Sequence, residues 1–340
     1  MKQKHQALLK TIFIPVFGLL FLFGSLSSCA QDFHLSQYDA SPLFLNPAMT
    51  GMFDGKFRAH VHYRNQWSSV STKPFTTAGI SADMPVKKFG IGAQLMNFRA
   101  GAGSYNALSA LLSFSYDLAS KTNMHHLAIG IQMGLIQKSI RPDQLFFGNQ
   151  YDAANGGGFD LSIPSNEVFK ASSFIIPALN AGLLYYFAKS NARLNPFIGF
   201  SVFNLTEPEE RFLTASGSKL PMRFNLHGGI KINVNERIQL LPKFIYTQQS
   251  DNQEITGSLI LHYFMKDANT FLLFGPTYRV NDAAIIEAGI KKNACTIRIS
   301  YDVNTSPLKS ISYYRGGFEA SITYVFAKPK PAPVVNCPRL

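Results

Sequence analysis

Cysteine and long apolar runs are scarce in this sequence, and each scarcity excludes a class of structure. Three cysteines among 340 residues cannot build a disulfide framework. No stretch of 18 or more apolar residues follows residue 30, so helical membrane spans are excluded beyond the amino-terminal region. No HExxH pattern, nucleophile elbow or pair of carboxylates suited to a cleft occurs, so neither an enzyme nor a bound cofactor is expected. Charge is sparse as well, at 15% of residues, and none stands between Lys10 and Asp32.

That uncharged gap follows a basic head of Lys2, Lys4 and Lys10, and it ends in small residues, Ser25-Leu26-Ser27-Ser28-Cys29-Ala30. A basic start, a short apolar core and small residues near a cut site describe a signal peptide over residues 1–30. Ser28 and Ala30 suit cleavage before Gln31, whereas Leu26-Ser27-Ser28-Cys29 also resembles a lipobox that would retain a lipidated Cys29. Ordinary cleavage is the simpler expectation, because a protein that spans the membrane needs no lipid anchor. Three lysines and no acids leave with the signal, so the formal charge falls from +12 to +9. The remaining basic residues are scattered singly, and no stripe of the kind that binds nucleic acid forms.

The dominant pattern is alternation with a period of two. Phe57, Ala59, Val61 and Tyr63 interleave with Arg58, His60, His62 and Arg64. Met222, Phe224, Leu226 and Gly228 interleave with Arg223, Asn225 and His227. Successive strand residues point to opposite faces, so each segment has an apolar and a polar face. These segments run to about 10 residues, the length a tilted strand needs to cross a bilayer. The apolar parity ends repeatedly in Tyr or Phe, as an interfacial girdle would, and 14 Tyr and 29 Phe supply it. The polar parity suits a water-lined lumen, with Arg58, His60, His62, Arg64, Arg223, Asn225 and His227 as candidate lumen residues.

The expected fold is all-β: a transmembrane antiparallel β-barrel of about 14 strands over residues 56–326. The strands begin near residues 56, 75, 89, 105, 125, 173, 196, 221, 238, 254, 270, 283, 295 and 317. The three longest connections, 139–171, 205–220 and 303–316, are all odd-numbered and so share one side. Long external loops and short periplasmic turns place both termini in the periplasm of an outer-membrane protein. Residues 31–55 form a plug or leader outside the strand pattern, and the Pro-rich residues 327–340 form a periplasmic tail. Cys295 and Cys337 both fall on the periplasmic side, where a disulfide could tie down the tail.

Several stretches resemble the PorP/SprF family. They are Gln31 to Tyr38, Ser41-Pro42-Leu43-Phe44-Leu45-Asn46-Pro47-Ala48-Met49-Thr50-Gly51, Tyr63-Arg64-Asn65-Gln66-Trp67, Asp143 to Gln150, Tyr301 to Ser306 and Gly316 to Glu319. The close, Cys337-Pro338-Arg339-Leu340, is similar to the family's, with Leu in place of the expected aromatic. The resemblance implies a Bacteroidetes outer-membrane component of type IX secretion and gliding motility. It also implies partners: outer-membrane lipid, other secretion components, and a large secreted or surface-attached client docked through its C-terminal domain.

Asn46-Pro47-Ala48 further resembles a motif in the hatch of FadL-type fatty-acid transporters, which implies a plug folded into the lumen. An Asn-Pro turn without a gating role is the plainer explanation. The alternative function is therefore passive transport of hydrophobic small molecules, which expects an apolar lumen pocket. His60, His62, His125 and His126 lack acidic or cysteine companions at ligand spacing, so no metal site is expected. Gly156-Gly157-Gly158 reads as a loop tip, and the long connection 139–171 as the segment that meets a partner.

Overall fold

The computed structural model describes residues 33–68, 73–101, 104–118, 124–153, 157–189, 192–212 and 219–327. The signal region with Cys29, and residues 328–340 with Cys337, lie outside the described residues.

Fourteen antiparallel strands close into one barrel. The first five are β1 (Phe57–Gln66), β2 (Phe75–Val86), β3 (Phe89–Ala100), β4 (Tyr105–Asp117) and β5 (His125–Ser139). A two-stranded hairpin, β6 (Tyr151–Asp152) and β7 (Gly158–Phe159), stands apart from the barrel. The wall resumes with β8 (Ser173–Phe187), β9 (Leu194–Phe203), β10 (Arg223–Asn233), β11 (Ile238–Gln249) and β12 (Asn252–Met265). It ends with β13 (Thr270–Arg279), β14 (Ala283–Lys292), β15 (Cys295–Asn304) and β16 (Arg315–Phe326). Each strand pairs with its sequence neighbour in the wall, and β16 closes on β1 in unbroken register from Phe57↔Phe326 to Gln66↔Gly317. Closure gives every wall strand two partners, which is what hydrocarbon demands of a backbone that water cannot reach.

Every wall strand begins within two residues of its expected start. The alternation holds through the wall: Val61, Ile80, Leu112 and Phe274 are exposed, whereas His62, Arg64, Ser113 and Gln132 are buried. The hairpin β6–β7 was not expected. Strands of two residues are too short for an alternation pattern to reveal.

The long links 140–172, 204–222 and 305–314 gather at one end of the barrel, and turns such as 87–88, 234–237 and 266–269 at the other. Strands β5 and β8, at 15 residues each, are the longest and pair as far as Ser139↔Ser173, raising a stiff ribbon beneath the longest link.

The segment before β1 occupies the lumen. Phe33 stacks on Phe98 at 4.9 Å and His34 pairs with Glu254 at 3.1 Å, both near the long-link end. Helix α1 (Pro42–Leu45) and a single 3-10 turn, Pro47–Met49, follow. Gly51 donates to Asp83 near the opposite end, and Lys56 donates its N–H to the Phe326 carbonyl. The segment thus crosses the lumen once. Phe57 and Phe326 lie together at the short-turn end, but the expectation of a shared side does not extend to Phe33, which lies at the other. The water-lined lumen expected from the polar parity is also corrected. His62, Arg64 and Glu319 are sealed from solvent, because residues 33–52 fill the space they face.

Candidate functional site

The contacts between plug and wall build a clamp, and its chemistry begins with carboxylates on inward-facing strand positions. The backbone N–H groups of Ser36 and Gln37 donate to Glu319 at 2.8 and 2.7 Å. Arg64 bridges the cluster, reaching Asp302 at 2.8 Å and Glu319 at 2.5 Å. His62 Nε2 lies 2.9 Å from Glu319, and Arg279 reaches Asp302 at 2.9 Å. Ser36 donates its hydroxyl to Asp302, and Ser321 donates to the Gln37 side chain at 2.6 Å. Charges removed from water are costly unless paired and fully hydrogen-bonded, and here each carboxylate meets both conditions.

A second cluster grips the next turn of the plug. Asp39 pairs with Lys243 at 2.6 Å and Arg298 at 2.7 Å, and Arg298 also holds Glu287 at 2.6 Å. Burial disfavours the charged form of Asp39, but Arg298 and Lys243 outweigh it and hold the carboxyl well below the usual carboxylate range. Burial pushes the neighbouring Tyr38 phenol upward, with Asp39 adding to the shift. A carboxyl whose pKa is lowered by docking contributes stability that is complete above about pH 4 and fades as the pH falls further. Acidification below that point should therefore raise amide exchange in residues 35–45. Asp39→Asn should loosen the same residues at neutral pH and respond less to acid.

The third grip uses few charges. Asn46 accepts the Ala48 N–H at 2.8 Å and donates to the Leu183 carbonyl at 2.9 Å, with His227 Nε2 3.1 Å away. Pro47 has no N–H to continue α1, so the chain turns there and Asn46 caps the new turn. The turn fits because glycines stand opposite it. A Cβ on Gly130 would sit 2.3 Å from the Ala48 nitrogen, and one on Gly182 would sit 2.0 Å from the Asn46 side-chain oxygen. Asn225 donates to the Leu45 carbonyl at 3.4 Å, and the Arg223 guanidinium lies between the Phe44 and Phe203 rings. Arg58 pairs with Asp83 at 2.7 Å. All seven residues expected in the lumen are buried there, together with Asn46 and Ala48.

Other residues singled out from sequence have ordinary partners. His60 contacts Thr323 at 2.9 Å, His125 meets the Tyr185 hydroxyl, and His126 pairs with Asp117 at 2.7 Å. Among the described residues no cluster of His, Cys, Asp and Glu could hold a metal ion. Cys295 opens β15, half-buried, and its expected partner Cys337 lies outside the described residues.

Sequence reasoning missed Ser36, Gln37, Asp39, Asp302 and Glu319 as a unit. One sign was available: Asp302 and Glu319 fall on the polar parity of their strands, where a membrane barrel needs each charge partnered.

The long-link end is a second candidate surface. Phe146, Tyr151, Phe159, Ile311 and Tyr313 are each at least half exposed there, Tyr313 at 76%. Tyr313 and Tyr314 both hold positive φ, at 52° and 61°, a conformation that costs bulky residues energy. Links 140–172 and 204–222 are tied to each other by the Lys170 N–H, which donates to the Phe212 carbonyl, and Phe212 also packs on Phe174 at the start of β8.

Residues 27–324 match the family model described as type IX secretion system membrane protein PorP/SprF. No curated protein matches the sequence. Among solved structures, the TodX deltaS2S3 mutant monoaromatic hydrocarbon channel aligns at TM-score 0.50 and 11% identity, over 85% of this chain and 94% of that one. The Ralstonia pickettii toluene transporter TbuX aligns at 0.48 and 9%, over 84% and 92%. A Pseudomonas aeruginosa FadL homologue aligns at 0.45 and 11%, over 84% and 94%. At such identities the likeness concerns the fold alone.

Proposed function

Because the chain belongs to the PorP/SprF family of outer-membrane barrels of type IX secretion, we propose that it docks a client protein at its long-link rim. The client is a large secreted or surface-attached protein, held through its C-terminal domain. Other secretion components are the remaining protein partners, and no reaction is catalysed. The long links face the cell exterior, and the short turns with the barrel's own first and last strand ends face the periplasm.

One observation carries this reading: the exposed aromatic groups collect on the long links, two of them tied to each other and the third strained at Tyr313 and Tyr314, while the lumen beneath is filled and clamped. Large aromatic side chains dominate the energetics of protein interfaces. A rim built in this way recognises a surface, and a filled lumen does not conduct one. Affinity capture of tagged barrel from native outer membranes should recover one dominant large surface protein, bound through its C-terminal domain. Recovery of the barrel with lipid alone would remove the reading. The double change Ile311→Ser and Tyr313→Ser should cut capture of that client by about tenfold, the cost of losing an interface anchor.

Passive transport of hydrophobic small molecules is a second reading, favoured by an apolar cavity of about 350 Å³ between plug and wall. It requires that removing residues 33–52 raise uptake of such molecules without affecting any surface protein.

A further inference from the structure

The cavity beside the plug has a chemistry that neither clamp nor rim explains. It lies toward the short-turn end, between the plug and strands β8 to β11, and measures about 350 Å³. Leu45 and Met49 of the plug form one side, and Leu184, Phe197 and Leu241 of the wall the other. Specific ligand sites of roughly 300 Å³ and above are typically apolar chambers of this kind with a few convergent polar groups.

The polar groups here are unequal. Asp39 and Lys243 line the cavity but satisfy each other at 2.6 Å, and His227 is engaged with Asn46. Lys231 also lines it, near the short turn after β10, and is exposed. Among the described residues Lys231 has no carboxylate partner. The cavity therefore offers one uncommitted cation at the mouth of an apolar chamber.

The wall is thin at the same place. Pairing of β10 with β11 runs from Arg223↔Gln249 to Gly229↔Lys243, lapses at Ile230 and Lys231, and resumes at Ile232↔Leu240. Pro242 stands opposite the lapse and has no N–H to give. Gly228 and Gly229 withhold side chains just above it. Residues of the wall's outer parity, Pro196, Gly228 and Phe244 among them, line the cavity there, which brings its lining to the lipid-facing surface.

We propose that this cavity binds a single-chain anionic amphiphile, with its acyl chain among Leu45, Met49, Leu184, Phe197 and Leu241 and its charged head on Lys231. A fatty acid and a lysophospholipid share this chemistry, and the surrounding membrane can supply either. Binding here is independent of client docking, and the test is blind to secretion.

The test is displacement of dansyl-undecanoic acid from the full-length barrel held in amphipol, read by fluorescence. One saturable site is expected, with palmitate displacing the probe at least about tenfold better than hexadecanol, because only palmitate offers charge to Lys231. Lys231→Gln should remove that preference by weakening palmitate and leaving hexadecanol unchanged. Leu241→Trp, which fills the chamber, should weaken both by about tenfold or more. Heat-dependent gel mobility verifies that each variant remains a closed barrel. Stronger displacement by lysophosphatidylglycerol than by palmitate assigns the head as a phosphodiester, and the reverse order assigns a carboxylate. Absence of saturable binding, or a Lys231→Gln variant with the wild-type preference, overturns the proposal.

Discussion

Glu319→Ala should open the lumen. Glu319 accepts two plug N–H groups and faces Arg64 and His62, all of them buried. Removing it leaves the Arg64 charge with one carboxylate and strands two backbone donors. Breaking a buried, hydrogen-bonded ion pair from one side typically costs about 3–5 kcal/mol. The barrel wall has fourteen strands of ladder to absorb such a loss, whereas the plug is held chiefly by its side-chain clamps. The expected result is therefore release of the plug with the barrel intact. In planar bilayers, wild-type protein should stay mostly closed and the variant should show long-lived conductance steps. Protease should cleave residues 33–55 in the variant and spare them in the wild type. An equally closed variant would mean that Asp302 and Asp39 suffice to hold the plug.

Gly130→Val should displace the plug by a different force. Its Cβ would meet backbone, 2.3 Å from the Ala48 nitrogen and 2.4 Å from the Pro47 carbonyl carbon. Neither atom belongs to a flexible side chain, so the turn Pro47–Met49 must move as a body. Valine suits the strand itself, because β5 tolerates β-branched residues well. The upper clamp at Ser36 and Gln37 should survive while Asn46 loses Leu183 and His227. Amide exchange should rise at least about tenfold for residues 46–52 and little for 35–38, a local opening of the kind that partly independent clusters permit. Uniform exchange along the plug would show that the clamps act as one cooperative unit.

The wall was legible in the sequence because each strand carries its own evidence. Leu108, Ala110, Leu112, Phe114 and Tyr116 share one parity with no help from distant contacts, and β4 spans Tyr105–Asp117. β16 shows the limit. Arg315 and Gly316 precede the expected start at 317, because a bulge between Tyr301 and Val303 lets Arg315 pair with Val303. A bulge changes which residues face each other and leaves no mark on local hydrophobicity.

The clamp was illegible for a related reason. Ser36 and Glu319 are 283 residues apart, and period-two alternation says only that Glu319 points inward. What fills the inside decides whether an inward charge meets water or a partner. The polar parity was read as water-facing, but it faces Gln37, Asp39 and Asn46. The inward glycines were a missed sign. Gly130, Gly182 and Gly199 stand on the inward parity at the places where another backbone or side chain comes too close for a Cβ.

Site-specific photo-cross-linking in living cells tests the docking reading most directly, with the cross-linker placed at Tyr313 on the rim or at Asn225 in the lumen. Docking on the long links predicts a cross-linked client from Tyr313 and none from Asn225. A client captured from Asn225 with Tyr313 silent would contradict it, because the client chain would then run through a lumen that the plug has left.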